Sequence, residues 1–553
     1  MPAMAMATIT MAMDSNDMHR GWYRLGGALL LVIGLPCHAV SWRAAPSVNV
    51  DLTYTDNIFL EKNDRDSDTI LIARPGFDLE RNSGRSKLNL GYRLTQLTHL
   101  QQSGLDNTYH SLNGAGQWEA IKQHLFLDAG VLASQELIDP TRSVNADLLG
   151  NEQNITTAWR GYFQPRWTQR LGGWGSYEVG YGVDYVDYSG GSGNLNQSQG
   201  STLTFNLTSG SAGMPLFWSA NYLDNNIDYA NSQQDGGQQN GDATLGVWAG
   251  KRLRFSGTAG YSEYSYTPNS TLVADNRQPN NHYYRATIGW VPSRKSQFDL
   301  FYQVREYDDD TLSETENKGS FGGRASWDPS RRWHLEGGYN EDFYGPAYDF
   351  SLTHRLRRSS FSLKYEEEVT NTRQNLLQNQ QIGTLICPSG TTFNPAQCVF
   401  VNPNQPVQLG INQQLIGLFL PVGVIADDQF LEKRYTATWG YQRGRSAFSL
   451  NGYQVDRTYL TSSNESQDRG ANFDWTPSLS GRTSLTTGVS WLTRDFMTGE
   501  KLDYDEFHLG LTQTVTRDAS LSATYRRISN DAQGSLLNDY RENRLTLSGN
   551  MRF

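Results

Sequence analysis

The 553-residue chain has one continuous apolar run, Gly26 to Leu35, about ten residues where a membrane-crossing helix needs roughly 20. A helical membrane protein is therefore excluded. Cysteine is scarce, at three residues, so a dense disulfide scaffold is excluded too. Cations are outnumbered, 47 Lys and Arg against 57 Asp and Glu for a net charge of −10, which argues against a nucleic-acid binder. No G-x-S-x-G, H-E-x-x-H, C-x-x-C, Walker A or G-x-G-x-x-G sequence occurs. Proline is sparse at 18 residues, leaving long stretches free to donate to a backbone ladder.

What is present points elsewhere. Aromatics reach 12%, with 29 Tyr, 22 Phe and 14 Trp, beside 53 Gly. Disordered chains are poor in aromatics, and a collagen-like chain would show a strict glycine period. A polar average with much Tyr, Trp and Gly suits a transmembrane β-barrel. The apolar run follows His19, Arg20 and Arg24 and precedes Cys37-His38-Ala39. That is the basic, apolar, small-residue order of a secretory signal. Residues 1–39 are read as that signal, with Met18 as an alternative start, because the 17 residues before it make the segment ahead of the apolar run unusually long. Pro36 beside Cys37 fits a lipoprotein signal badly. The mature chain, 40–553, keeps Cys387 and Cys398. Export makes a disulfide the natural reading of that pair, with two free thiols the alternative.

From Ser47 to Phe553 apolar and polar residues alternate. Leu88, Leu90, Tyr92 and Leu94 share one face; Lys87, Asn89, Gly91, Arg93 and Thr95 share the other. Near the C terminus Leu545, Leu547, Gly549, Met551 and Phe553 oppose Arg544, Thr546, Ser548, Asn550 and Arg552. Period two with one apolar face marks a strand. About ten to fifteen residues per segment exceeds the usual soluble strand and matches a tilted bilayer crossing. The expected fold is all-β, a single closed antiparallel transmembrane barrel of about 22–24 strands, an even number.

The links alternate in length. Short ones are basic or turn-like, as in Arg81–Arg85, Pro292–Ser296, Asp328–Arg332, Arg355–Ser359 and Arg443–Arg445. Long ones are polar and often acidic, as in Thr55–Asp68, Asn231–Gly241 and Asp308–Glu316. Short periplasmic turns and longer outer loops are the layout of an outer-membrane barrel. Three short links share W-x-P-S, at Trp290, Trp327 and Trp475. These tryptophans are expected in an interfacial girdle, against the alternative of ordinary core tryptophan before a turn. Phe553 ends an alternating strand as an aromatic C terminus, which resembles an outer-membrane insertion signal.

The segment Ser47–Leu60 carries a Y-x-D-N-[IV]-F pattern at a first strand; Ile70–Leu79 holds a Pro-Gly, and Leu88-Asn89-Leu90-Gly91-Tyr92 and Leu125–Gly130 follow. This resembles the β-barrel porin families of Gram-negative outer membranes, including the branch associated with exosortase systems and exopolysaccharide loci. The resemblance covers roughly the first 100 mature residues. It implies a barrel fold, an outer-membrane location and a link to surface-polysaccharide export. It carries over no functional residue.

The expected function is a passive channel or secretion barrel for an exopolysaccharide or another hydrophilic solute. A non-transporting structural barrel in envelope or biofilm assembly is the rival, and a barrel enzyme a weaker third. Lumen-facing Lys87, Arg93, Arg252, Arg254, Arg544 and Arg552 would offer donors to sugar hydroxyls or carboxylates. The His110-Ser111 pair alternates onto opposite strand faces, so no catalytic constellation is expected. The histidines lack ligand spacing and the acidic run Asp308–Glu316 reads as a solvated loop, so neither metal nor cofactor is expected. Expected partners are outer-membrane lipid and lipopolysaccharide, the barrel assembly machinery and polysaccharide export components, with no nucleic acid. No plug domain is read before Ser47. The 60-residue link Thr370–Gln429, with its cysteine pair and the apolar Leu415–Ile425, is instead expected to fold inward or cap the mouth, because loops beyond about 15 residues are usually functional.

Overall fold

The computed structural model describes residues 41–137, 148–150, 154–189, 197–210, 215–229, 235–266, 280–309, 314–342, 344–371, 381–388, 399–401, 413–419, 429–459, 464–496, 499–534 and 539–553. Twenty-four strands form one antiparallel sheet. Each pairs with its sequence neighbour, and the first strand, Ser41–Thr55, pairs with the last, Tyr540–Arg552. The sheet is thus a closed barrel of 24 strands. A second, three-stranded sheet, Gln381–Pro388 with Val399–Val401 and Gln413–Phe419, falls inside the long insertion.

Closure follows from the physics of the solvent. In hydrocarbon every backbone N–H and C=O needs a partner, so a spanning sheet has no edges. The seam pairs run from Ser47↔Arg552 to Thr55↔Arg544. At its short-turn end the Phe553 N–H donates to the Pro46 carbonyl at 2.9 Å. Both terminal strands end on the short-turn side, which fixes the even count.

Alternation then sorts the side chains. On the first strand Val48, Val50, Leu52 and Tyr54 are exposed outward, while Ser47, Asn49, Asp51 and Thr53 are buried inward. Leu300, Phe321 and Leu545 continue the outer apolar surface, the first two 72% and 75% exposed. Exposed apolar area on this scale is untenable in water and natural against lipid. Leu88, Leu90, Tyr92 and Leu94 share the face of outward Phe77, with which Tyr92 is in register.

Two boundaries differ from expectation. The strand Asp235–Ala249 already pairs at Gly236 and Gly237, inside the expected link Asn231–Gly241. The strands Ser296–Asp309 and Glu314–Ser330 likewise run into Asp308–Glu316. Outer strand ends beyond the apolar belt stand in water, so their polar composition mimics a loop.

The W-x-P-S repeats have a backbone cause. Pairing shifts register between Trp290 and Ser293, and again between Trp327 and Ser330. Proline 292 or 329 lies in each irregularity, where its missing N–H costs no ladder bond. The serine then caps the turn: Ser293 Oγ accepts the Lys295 N–H and Ser330 Oγ the Arg332 N–H, both at 3.1 Å.

Deleting Phe553 removes the last bond of the seam. Membrane-assembled protein, measured as the heat-modifiable gel species, should fall while export continues; an assembled yield equal to the parent would remove that role.

Candidate functional site: the lumen and its outer mouth

A barrel of 24 strands is about 45–50 Å across between backbones, from strand spacing and tilt. An inward side chain in so wide a lumen reaches zero exposure only when something lies against it. Nearly all the buried apolar residues sit in the outer half: Ile70, Leu97 and Val455 are 0% exposed, and Leu502 and Ile528 nearly so.

Part of what covers them comes from the loops. The link after the first strand, 56–67, turns into the barrel mouth. Asn57 clamps it: its Oδ1 accepts the Glu61 N–H at 2.9 Å, and its Nδ2 donates to the Glu61 and Arg541 carbonyls at 2.7 and 3.0 Å. Asp56 accepts both the backbone and the side-chain N–H of Asn543 at 2.7 Å. Ile58 then packs with Ile70, Ile72, Leu97, Tyr109, Leu149 and Ile155. Leu60 packs on the other side of the seam with Leu492, Phe496, Leu502, Tyr504, Ile528 and Tyr540. One short loop therefore ties both flanks of the closure. Each anchor contributes about 1.5–3 kcal/mol by burial.

A second loop locks the first. Gly150 has φ +79°, and a Cβ there would stand 2.8 Å from Leu60 Cγ and 2.9 Å from the Ile58 carbonyl oxygen. Only glycine meets both demands. At the rim the Lys62 ammonium reaches the Asp539 carboxylate at 2.6 Å. That hydrogen bond raises the Lys62 pKa above its ordinary value and lowers that of Asp539 below its own. The contact is intact from the ordinary carboxylate range up to the ordinary lysine range, lost only below the first and above the second.

The inner wall is otherwise polar, and its charges are paired across strands. The longest chain spans five neighbouring strands near the outer end. Arg434 meets Glu366 at 3.4 Å and also Glu432; Arg457 joins Glu432 at 3.2 Å to Asp468 at 2.9 Å; Arg494 holds Asp468 at 2.8 Å. Buried charges are tolerable only when so paired. Elsewhere Arg166 bridges Asp128 and Glu178 at 3.3 and 2.9 Å, and His508 lies 3.3 Å from Asp474.

Five of the six cations expected in the lumen occupy inward positions, and three have a carboxylate nearby. Arg93 lies 3.9 Å from Asp78, Arg254 2.6 Å from Asp299, and Arg544 2.8 Å from Glu542. The Arg254–Asp299 pair crosses Gly289 on the strand between them, where a Cβ would fall 2.4 Å from Arg254 Nε. Lys87 is exposed on the inward face, and Arg552 shares the inward parity of Arg544. Arg252 is a correction: it lies in the exposed turn before Leu253, because the strand starts one residue later. Trp290 and Trp327 face outward and half exposed at the short-turn end; Trp475 lies there too, stacked on Phe448 with centroids 6.0 Å apart. Phe553 is exposed. His110 bonds to the outward Tyr92 hydroxyl at 2.9 Å, away from any lumen chemistry. Cys387 lies on the strand Gln381–Pro388. Cys398, residues 1–40, Leu420–Ile425 and the Asp310 end of the acidic run fall outside the described residues.

The inward-turned loop and the charge chain were not read from the sequence. Ile58 and Leu60, apolar in an acidic loop, were a usable signal for the first. The charge chain depends on register, which alternation leaves open.

Neither a family model nor a curated protein matches the sequence. Solved structures resembling it include the FrpB iron transporter from Neisseria meningitidis (F3-3 variant), 9% identical, with 95% of this chain and 83% of that one covered and a TM-score of 0.45. Another is the siderophore receptor PirA from Acinetobacter baumannii, at 8%, 92%, 80% and 0.41. A third is a loop-deletion mutant of OmpT, an outer membrane protein of Vibrio cholerae, at 9%, 93%, 100% and 0.30. No residue role passes from them to this chain.

Truncating Leu60 to Ala should weaken the mouth by about 2–5 kcal/mol, the cost of a core leucine, without unfolding the barrel. Backbone hydrogen exchange over 56–66 should accelerate in the variant, and Lys62→Ala should accelerate it less, equally at pH 5 and pH 9. Unchanged protection in Leu60→Ala would mean the loop is not anchored there.

Proposed function

We propose that this chain is an outer-membrane channel that passively passes a surface exopolysaccharide or another hydrophilic polymer. The observation that carries the reading is the two-sided wall: an apolar belt outside and, inside, a polar face whose arginines and carboxylates are cross-paired. A hydrated polymer slides past such a wall without meeting a ring of one sign, which would select small ions instead. The resemblance of the Ser47–Leu60 segment to exopolysaccharide-associated barrels supports the substrate class. The reading assigns no catalytic step to the chain. Lipopolysaccharide outside, the barrel assembly machinery at insertion and export components on the short-turn side are its partners.

The outer half, packed with Ile70, Leu97, Val455 and their neighbours, favours a second reading, a barrel that braces the envelope without conducting. In the channel reading the mouth opens by loop displacement, and Thr370–Gln429 contributes to the constriction.

Planar-bilayer recording separates them. The channel reading expects resolved conductance steps, their partial block by an added exopolysaccharide, and larger steps after deletion of Thr370–Gln429. A correctly assembled deletion variant that stays silent leaves the bracing role.

A further inference from the structure

The wall neutralises its arginines; the short-turn rim does not. Four consecutive short turns each carry a cation doublet, Lys251-Arg252, Arg294-Lys295, Arg331-Arg332 and Arg357-Arg358. All eight side chains are exposed. Among the described residues no carboxylate stands within ion-pairing distance of any of them, in contrast to Arg93, Arg166, Arg254, Arg434 and Arg457 on the wall. The four turns are adjacent, because the strands they join pair in sequence order from Asp235 to Asn371. The result is an arc of eight unneutralised cations along the rim, which the exposed Arg443 and Arg445 of the next turn extend. The turns at 171–174 and 210–215, further round the barrel, carry no cation.

Outward tryptophans stand directly above this arc. Trp290, Trp327 and Trp333 are exposed to 51%, 48% and 39%. Trp290 precedes Arg294 by four residues, as Trp327 precedes Arg331. At roughly 3.3 Å per residue and a tilt near 40°, Arg294 and Arg331 lie at most about 10 Å beyond Trp290 and Trp327, and Arg332 adjoins Trp333 in sequence. Aromatic residues mark the edge of the hydrocarbon, and the headgroup layer adds about 5–7 Å on each side. Lysine and arginine stems reach back across the remaining distance. Farther round the barrel base, outward Arg81 already does so, with its guanidinium 5.0 Å from the Trp42 ring.

We infer that this arc binds the headgroups of anionic phospholipids in the leaflet on the short-turn side. Screening decides against steering a polyanion into the lumen. The barrel axis is more than 20 Å from the rim, and charge is felt over about 8–10 Å. Headgroups, by contrast, surround the arc at contact distance. An acidic periplasmic protein docked on the same arc is the competing occupant.

The test uses the full barrel in phosphatidylcholine bilayers doped with bromine-labelled phosphatidylglycerol or bromine-labelled phosphatidylcholine, with tryptophan fluorescence quenching as readout. The anionic lipid should bind beside the tryptophans about fivefold more strongly than the zwitterionic one, the factor that one cation near an anionic surface supplies. The preference should vanish in 1 M salt and fall by about half, on a logarithmic scale, in the variant Arg294→Gln, Lys295→Gln, Arg331→Gln, Arg332→Gln, which keeps four of the eight cations. Substitution of these exposed turn positions leaves the ladder intact, and heat-modifiable mobility checks assembly. Equal quenching by both lipids, or a preference that the four substitutions leave undiminished, overturns the inference and leaves the arc to a protein partner. If the four-fold variant fails to assemble, the salt series on the parent protein decides alone.

Discussion

Everything in this molecule depends on the requirement that a backbone in hydrocarbon leave no hydrogen-bonding group unpaired. A sheet satisfies that only by closing, and closure here is the pairing of Ser47–Thr55 with Arg544–Arg552. Once the ring is shut, alternation sends each second residue to lipid and each other one to the lumen. The apolar outer surface and the polar wall are consequences of that one constraint. The inward-turned loop belongs to it as well, because Ile58 and Leu60 bind the two flanks of the seam that the ladder alone joins.

The lumen shows what a wide ring demands. Among the described residues the inward arginines find their carboxylates on their own or nearby strands, so the wall supports itself sideways. Arg254 and Asp299 meet across a glycine, and Glu366, Arg434, Glu432, Arg457, Asp468 and Arg494 form a chain along neighbouring strands. Towards the outer mouth this polar solution gives way to apolar packing under the loops. The rim on the short-turn side differs from both. Among the described residues the eight turn cations from Lys251 to Arg358 meet no carboxylate, so this part of the rim presents positive charge to its surroundings.

Much of the fold was legible because alternation is a local property. The faces of Ser86–His99 follow residue by residue from period two, and the observed 24 strands lie at the top of the expected range. Strand ends were less legible: Gly236 and Gly237 are paired although their composition is that of a loop. The site was legible only in part. Inward positions for Arg93, Arg254 and Arg544 follow from parity, but their partners do not. Asp299 lies 45 residues from Arg254 and two strands away, a relation that register sets and sequence spacing conceals. Arg252 was misplaced for a related reason, since alternation does not say where a strand stops and a turn begins.

The sorting of residues by the closed ring is tested most directly by a cysteine scan of the strand Ser86–His99 in a background with Cys387→Ser and Cys398→Ser. Each position is exposed in turn to a water-soluble, membrane-impermeant maleimide in reconstituted vesicles. The account predicts labelling at Lys87 and Asn89, where the lumen is wet. It predicts none at Leu88, Leu90 and Tyr92, which face lipid, and none at Leu97, which is packed beneath the loops. Labelling that runs continuously through positions 87–92, or is strong at 97, would contradict it.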